Sequence, residues 1–162
     1  MDKLTELSQQ LAKLLLQQKK QLAVAESCTG GWLAKCLTDL AGSSQWFERG
    51  FVTYSNAAKQ EMLGVRPRTL LRDGAVSEVV VAEMAVGALL HSHADFSVAI
   101  SGIAGPGGAV PGKQVGTVCF SWAVKGDLRH QDTRHFEGDR EAVRRQAVVC
   151  ALEGLLDVVN KA

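Results

Sequence analysis

Apolar residues open the chain at helical spacing. Leu4, Leu7, Leu11, Leu14 and Leu15 fall on one face, so an amphipathic helix is expected over residues 3–19, with Gln17-Gln18-Lys19-Lys20-Gln21 as its polar exit. The pattern then changes. Leu22-Ala23-Val24-Ala25 is a continuous apolar run, which places a strand at 22–26, followed by a tight turn and a helix from Trp32 to about Leu40 that Ala41-Gly42-Ser43-Ser44 breaks. Gly50-Phe51-Val52-Thr53-Tyr54 reads as a second strand. Ser55 or Asn56 caps a short helix through Met62, ended by Gly64, and Pro67 to Leu71 makes a helical turn. Ser77 caps a helix to about Leu90 with Val80, Met84 and Ala88 on one face. Phe96-Ser97-Val98-Ala99-Ile100 is a third strand, running into a glycine-rich loop at 101–108. Val115 to Val124 and Leu128 to Phe136 flank Gly126-Asp127 as a hairpin, and Asp139 caps a last helix to about Val159. Helices and strands alternate early and a hairpin follows, so the expected fold is α/β, a mixed sheet covered by helices in one domain over 1–162.

Composition narrows the function classes. Lys plus Arg is 18 and Asp plus Glu is 17 in 162 residues, which argues against an electrostatic nucleic-acid binder. The polar start Met1-Asp2-Lys3-Leu4-Thr5-Glu6 has no signal-peptide core, and no apolar run approaches the ~18 residues of a membrane span. Cys28, Cys36, Cys119 and Cys150 form no CxxC pair, so reduced thiols and a cytoplasmic location are expected. No HExxH motif or carboxylate set has metal-ligand spacing, and neither a metal nor a cofactor is expected.

The candidate chemistry sits on the first turn, Ala25-Glu26-Ser27-Cys28-Thr29-Gly30-Gly31. It lies between a strand and a helix N-terminus, where backbone N–H groups favour negative charge. Ser27 is a candidate nucleophile that needs a base; equally, it caps the helix. Cys28 is the rival nucleophile, or a buried, inert thiol, with His91, His93, His130 and His135 as the histidines that could partner it. Lys59 serves as base if burial keeps it neutral, and is otherwise a solvated lysine on a helix face. In Gly138-Asp139-Arg140-Glu141-Ala142-Val143-Arg144-Arg145-Gln146, three arginines enter the first turns of a helix against its dipole. That points to an anionic ligand or a carboxylate partner, Glu141–Arg145 pairing being the alternative. The 101–108 loop either wraps a phosphate with its amides or is a connector. Both glycine-rich loops follow strands, and if those strands are parallel neighbours the loops share one rim.

Taken in order, these segments resemble the C-terminal domain of the competence/damage-inducible CinA proteins. They are the 25–31 turn, Gly50 to Asn56 with Lys59, Gly74-Ala75-Val76-Ser77-Glu78, Ser101-Gly102-Ile103-Ala104-Gly105-Pro106, Val115-Gly116-Thr117-Val118 and Phe136-Glu137-Gly138-Asp139-Arg140. The resemblance runs from about residue 5 to residue 157, and within the family it is nearest to the stand-alone nicotinamide-nucleotide amidases. It implies a three-layer α/β/α sandwich, found as a homo-oligomer, and hydrolysis of nicotinamide mononucleotide (NMN) to nicotinate mononucleotide and ammonia in pyridine-nucleotide salvage. Larger CinA proteins carry a further N-terminal domain. Carried over by motif, Ser27 is the nucleophile, Lys59 its base and Tyr54 a residue that positions or polarises the pair. Thr29, Gly30 and Gly31 bind substrate at the helix N-terminus, Ser101 and Gly102 line the facing loop, and Arg145, with Arg140 and Arg144 as alternatives, holds the substrate. The chain departs from its relatives by running Gly107-Gly108 directly after Gly105-Pro106, where an extra residue is common. That departure sustains a second reading, a catalytically silent pyridine-nucleotide-binding or regulatory module.

Overall fold

A computed structural model describes residues 2–162. Five strands form one mixed sheet in the order β2-β1-β3-β4-β5. β1 (Leu22–Glu26), β2 (Phe47–Val52) and β3 (Phe96–Gly102) run parallel; β4 (Thr117–Val124) and β5 (Asp127–His135) add an antiparallel hairpin. Helices α1 (Lys3–Gln18), α2 (Trp32–Thr38) and α6 (Arg140–Asn160) cover one face. The other is covered by α3 (Asn56–Leu63), α4 (Pro67–Asp73) and α5 (Glu78–Leu90), which completes a three-layer α/β/α sandwich.

The two faces differ in side-chain size. Successive residues of a strand point to opposite faces. Leu22, Val24, Phe96, Val98, Ile100, Phe120 and Trp122 therefore pack under α1, α2 and α6, whereas Ala23, Ala25, Ala99, Cys119 and Ala123 lie under α5 and its neighbours. Small residues let α5 sit close to the sheet, and the Ser97 hydroxyl donates to the Ala85 carbonyl at 2.8 Å to hold it there. Gly87 of α5 in turn admits the C-terminal end of α3: a Cβ on Gly87 would land on the Leu63 carbonyl, a backbone atom that cannot rotate away. Gly87→Ala is expected to destabilise the protein by about 1–3 kcal/mol in chemical denaturation, the range for overpacking a filled interior.

Several elements sit where the hydrophobic pattern puts them, including α1, β1, and the caps at Ser55, Ser77 and Asp139, whose side chains accept from Ala58, Val80 and Ala142. Others move. β2 starts at Phe47 and ends at Val52 rather than spanning 50–54, because Leu22 to Glu26 pair with Phe47 to Val52. Its charged residues face local partners at the sheet edge: Arg49 donates to Glu48 at 2.8 Å and to the His91 carbonyl at 2.8 Å. β3 extends to Gly102, since Ser101 and Gly102 pair with Cys119 and Val118, so the loop expected at 101–108 begins at Ile103. The hairpin turns at Lys125-Gly126 rather than Gly126-Asp127, β4 begins at Thr117, and 67–73 is a helix of seven residues rather than one turn. No helix among the described residues is long and apolar enough to cross a membrane.

Candidate active site

β1 and β3 are parallel neighbours, and their carboxyl ends meet: the Ser27 amide donates to the Ile100 carbonyl at 3.0 Å. The strand alternation then separates two adjacent residues. Glu26 follows Leu22 and Val24 to the α2 side, and Ser27 follows Ala23 and Ala25 to the α3 side. There Lys59 meets it. Ser55 caps α3, its hydroxyl accepting the Ala58 amide at 3.0 Å, and one turn later Lys59 points inward and is 1 % exposed.

Lys59 Nζ lies 3.1 Å from Ser27 Oγ, 3.1 Å from the Thr53 carbonyl and 3.1 Å from the Tyr54 carbonyl. Burial lowers its pKa below the ordinary 10.5, a shift that the neighbouring Cys28 only opposes. A neutral amine has two N–H donors and one lone pair. In that form, donating to the two carbonyls would leave the lone pair for the Ser27 hydroxyl. These carbonyls are available because β2 ends at Val52; after the Thr53 amide has donated to the Glu26 carbonyl at 2.8 Å, the chain leaves the sheet. Tyr54 thus meets the pair through its backbone oxygen, which lies 3.4 Å from Ser27 Oγ. Its side chain is 59 % exposed and its phenol oxygen accepts from Arg140 at 3.0 Å, so the ring is placed away from the Ser27–Lys59 contact. Burial pushes the Cys28 thiol up to about 11, which leaves it protonated and a poor rival to Ser27. No histidine lines the cavity in front of Ser27.

Glu26 alters the reading of the turn. Its fully buried carboxylate accepts from Thr29 Oγ1 at 2.6 Å and from the amides of Gly31, Leu33 and Ala34 at 3.2, 3.0 and 3.0 Å. The positive end of α2 is therefore occupied by the protein's own anion. Three residues expected to bind substrate are engaged within the turn instead. The Thr29 side chain is buried against Glu26. Gly30 and Gly31 shape the turn at φ +59° and +103°, with the Gly30 amide given to the Ser27 carbonyl and that of Gly31 to Glu26. None of the three lines the cavity. The two amides of the turn that donate to no carbonyl or carboxylate among the described residues are those of Cys28 and Thr29.

The cavity, about 320 Å³, opens in front of Ser27 and Lys59. Ser101 and Gly102 lie on its wall, and Ile103, Ala104, Gly105, Gly107 and Gly108 continue it. Asn56, Ala75, Val76 and Arg140 also face it, and no carboxylate among the described residues does, so its fixed charge is positive. Gly102 has no room for a side chain, since a Cβ would lie 2.7 Å from Val118 Cγ2 and 3.0 Å from the Thr117 carbonyl.

The arginine expected at the substrate lies elsewhere than the cavity. Arg145 donates to Asp2 at 2.7 Å, away from the cavity, in place of the Glu141 pairing. Residues four apart share a helix face, whereas neighbours are turned by about 100°. Arg140 and Arg144 therefore point to the site and Arg145 does not. Arg140 reaches the cavity, donating to the Gly105 carbonyl at 2.8 Å and to the Tyr54 phenol. Arg144 stops at the turn, donating to the Cys28 carbonyl at 3.0 Å and the Thr29 carbonyl at 3.1 Å. The shortened loop closes on itself through paired Val110 and Lys113, and Lys113 Nζ donates to the Asp73 carbonyl at 2.7 Å, tying it to the end of α4.

Residues 4–159 match the family model described as CinA C-terminal domain. The chain is 55% identical over 152 residues to the nicotinamide-nucleotide amidohydrolase PncC of Escherichia coli K12, covering 94% of this chain and 92% of that protein. It is 49% identical over 158 residues to the protein of the same name from Pseudomonas putida, covering 98% of each. Among solved structures, the CinA superfamily protein KP700603 from Klebsiella pneumoniae superposes with a TM-score of 0.94 at 40% identity, covering 98% of this chain and 99% of that one.

Proposed function

The chain belongs to the CinA C-terminal domain family, and from that membership we propose that it is an amidohydrolase that converts NMN to nicotinate mononucleotide and ammonia through an acyl-enzyme on Ser27. The observation that carries this reading is the buried Lys59 amine 3.1 Å from Ser27 Oγ, with its other two contacts taken by fixed carbonyls. A serine beside a desolvated amine suits acyl transfer, in which one group removes a proton from the nucleophile and returns it to the leaving group.

The steps balance as follows. The neutral Lys59 amine takes the Ser27 proton as Oγ bonds to the carboxamide carbon, and the carbonyl π electrons move to oxygen. The Cys28 amide, which has no acceptor among the described residues and belongs to a residue on the cavity wall, receives that oxyanion in this reading; loss of one such donor costs roughly 2.7–4 kcal/mol in other hydrolases. The oxyanion collapses, the C–N bond breaks, and protonated Lys59 gives its proton to nitrogen, so ammonia departs. Water then adds to the ester, with Lys59 as base, releasing the carboxylate and restoring the Ser27 hydroxyl. The pyridinium ring of NMN withdraws electrons from the carbonyl and assists both attacks.

Arg140 is the residue for the substrate phosphate. Two of its five N–H donors are used within the protein, and the side chain lines a cavity with no competing carboxylate among the described residues. Arg140→Met is expected to raise the KM for NMN about tenfold to a hundredfold, the size of a lost charged hydrogen bond, with kcat changed far less. Steady-state ammonia release checks this.

The acyl-enzyme is tested with hydroxylamine as a competing acceptor. Wild-type protein is expected to form the hydroxamate of nicotinate mononucleotide from NMN while total ammonia release is maintained, and Ser27→Ala to form none. Hydroxamate formation that persists in Ser27→Ala would remove Ser27 from the reaction. Cytoplasmic action in pyridine-nucleotide salvage and self-association belong to the same reading. The apolar side chains Leu71 and Leu90, 90 % and 76 % exposed on α4 and α5, support self-association.

A further inference from the structure

We propose that Arg144 is a positioning residue that, through the peptide planes of the turn, aims the amide of Cys28, on the cavity wall, at the developing oxyanion, an inference that rests on the amidohydrolase reading above. Arg144 comes from α6, more than a hundred residues after the turn it holds. It does not line the cavity, so it acts through the backbone rather than on substrate.

Its two hydrogen bonds both go to peptide carbonyls, Nε to Cys28 and Nη2 to Thr29. A peptide is planar and trans, so its C=O and N–H point in opposite directions. Fixing the Cys28 carbonyl on one side therefore fixes the Thr29 N–H on the other. The Thr29 carbonyl is shared between Arg144 and the Trp32 amide, which sets the Gly30 amide onto the Ser27 carbonyl at 3.1 Å. That last bond orients the peptide whose other end is the Cys28 N–H. One guanidinium thus governs a chain of three peptide planes, and the two amides left without acceptors are those at Cys28 and Thr29.

The surroundings of Arg144 are built for this contact. Its guanidinium lies over the Trp32 ring, 5.7 Å from the centroid, which limits its swing. Gly30 clears its path: a Cβ at Gly30 would stand 3.3 Å from Arg144 Nη2, tighter than ordinary packing. Glu26 holds the same turn from the opposite side through Thr29 Oγ1 and the Gly31 amide, so the turn is clamped between a buried anion and a cation. A guanidinium meets two adjacent carbonyls with its fixed fork of donors, a geometry that an ammonium cannot reproduce.

The test is Arg144→Met with NMN and with its thioamide analogue as substrates, ammonia release being read for both. In the thioamide the developing charge sits on sulfur, a weak acceptor, so an enzyme with well-aimed amides prefers the oxygen substrate. The expected result is a kcat on NMN lower by about tenfold to a hundredfold, KM within about twofold of wild type, and a preference for NMN over the thioamide that shrinks by about the same factor as kcat. Should Arg144→Met fail to show a cooperative melt, Arg144→Lys, which keeps the charge and reaches one carbonyl, is expected to show the same effects at smaller size. Wild-type kcat in either folded variant, or a lower kcat with the oxygen-to-sulfur preference unchanged, would overturn the proposal while leaving the amidohydrolase reading intact. A wild-type protein that releases no ammonia from NMN would instead overturn that reading.

Discussion

Ser27→Ala is expected to release ammonia from NMN at a rate lower than wild type by on the order of 10⁴-fold or more, and still to fold. The size follows from the role: when the nucleophile of an acyl-transfer unit is removed, the remaining groups no longer act together, and single deletions in such units cost nearly as much as removing the whole set. The fold is expected to survive because Ser27 is small and its hydroxyl contributes only the contacts with Lys59 and the Tyr54 carbonyl, whose loss is worth about 1 kcal/mol. A matched thermal melt and ammonia assay on the same preparation separate the two effects.

Lys59→Met is the second large effect, a loss of about 10²- to 10⁴-fold in kcat, the range for a missing general base. Methionine fills much of the same buried volume and removes only the amine. The pH profile carries the sign. The amine works as a base when neutral, and burial lowers its pKa below 10.5, so kcat/KM is expected to climb as pH rises through that lowered value and to level off before 10.5. Stability moves in the same direction. Between the lowered pKa of the folded state and 10.5, the unfolded chain holds a proton that the folded chain does not, so stability rises with pH across that window. Lys59→Met removes this slope along with the activity, and a set of melts across pH reads it.

The fold and the chemistry were legible in the sequence to different depths. Periodicity located α1 and β1 because each presents an uninterrupted pattern, and serine or aspartate caps located α3, α5 and α6 because the capping bond is local. β2 was misplaced since Glu48 and Arg49 look unlike strand residues until the edge of the sheet and the His91 carbonyl are in place beside them. The meeting of Ser27 with Lys59 depends on two local facts, the strand parity that turns Ser27 toward α3 and the single turn from Ser55 to Lys59. Family motifs carried what spacing alone left open. Substrate-side residues were harder. A carboxylate directly before a helix-opening turn is a signal for an internal cap, and Glu26 engages Thr29 and the Gly31, Leu33 and Ala34 amides in that way. The position of Arg145 away from the cavity was hidden for a related reason. All three arginines lie in the first turns of α6, and only the rotation of that helix against the turn distinguishes Arg140 and Arg144 from Arg145.

The central claim is that this chain cleaves the carboxamide of a phosphorylated pyridine nucleotide. Ammonia release by the purified wild-type protein, measured side by side on NMN, nicotinamide and NAD, tests it most directly. The account predicts ammonia and nicotinate mononucleotide in equal amounts from NMN and at most slow release from nicotinamide, which has no phosphate for Arg140 to hold. No ammonia from NMN, or equal rates on NMN and nicotinamide, would contradict it.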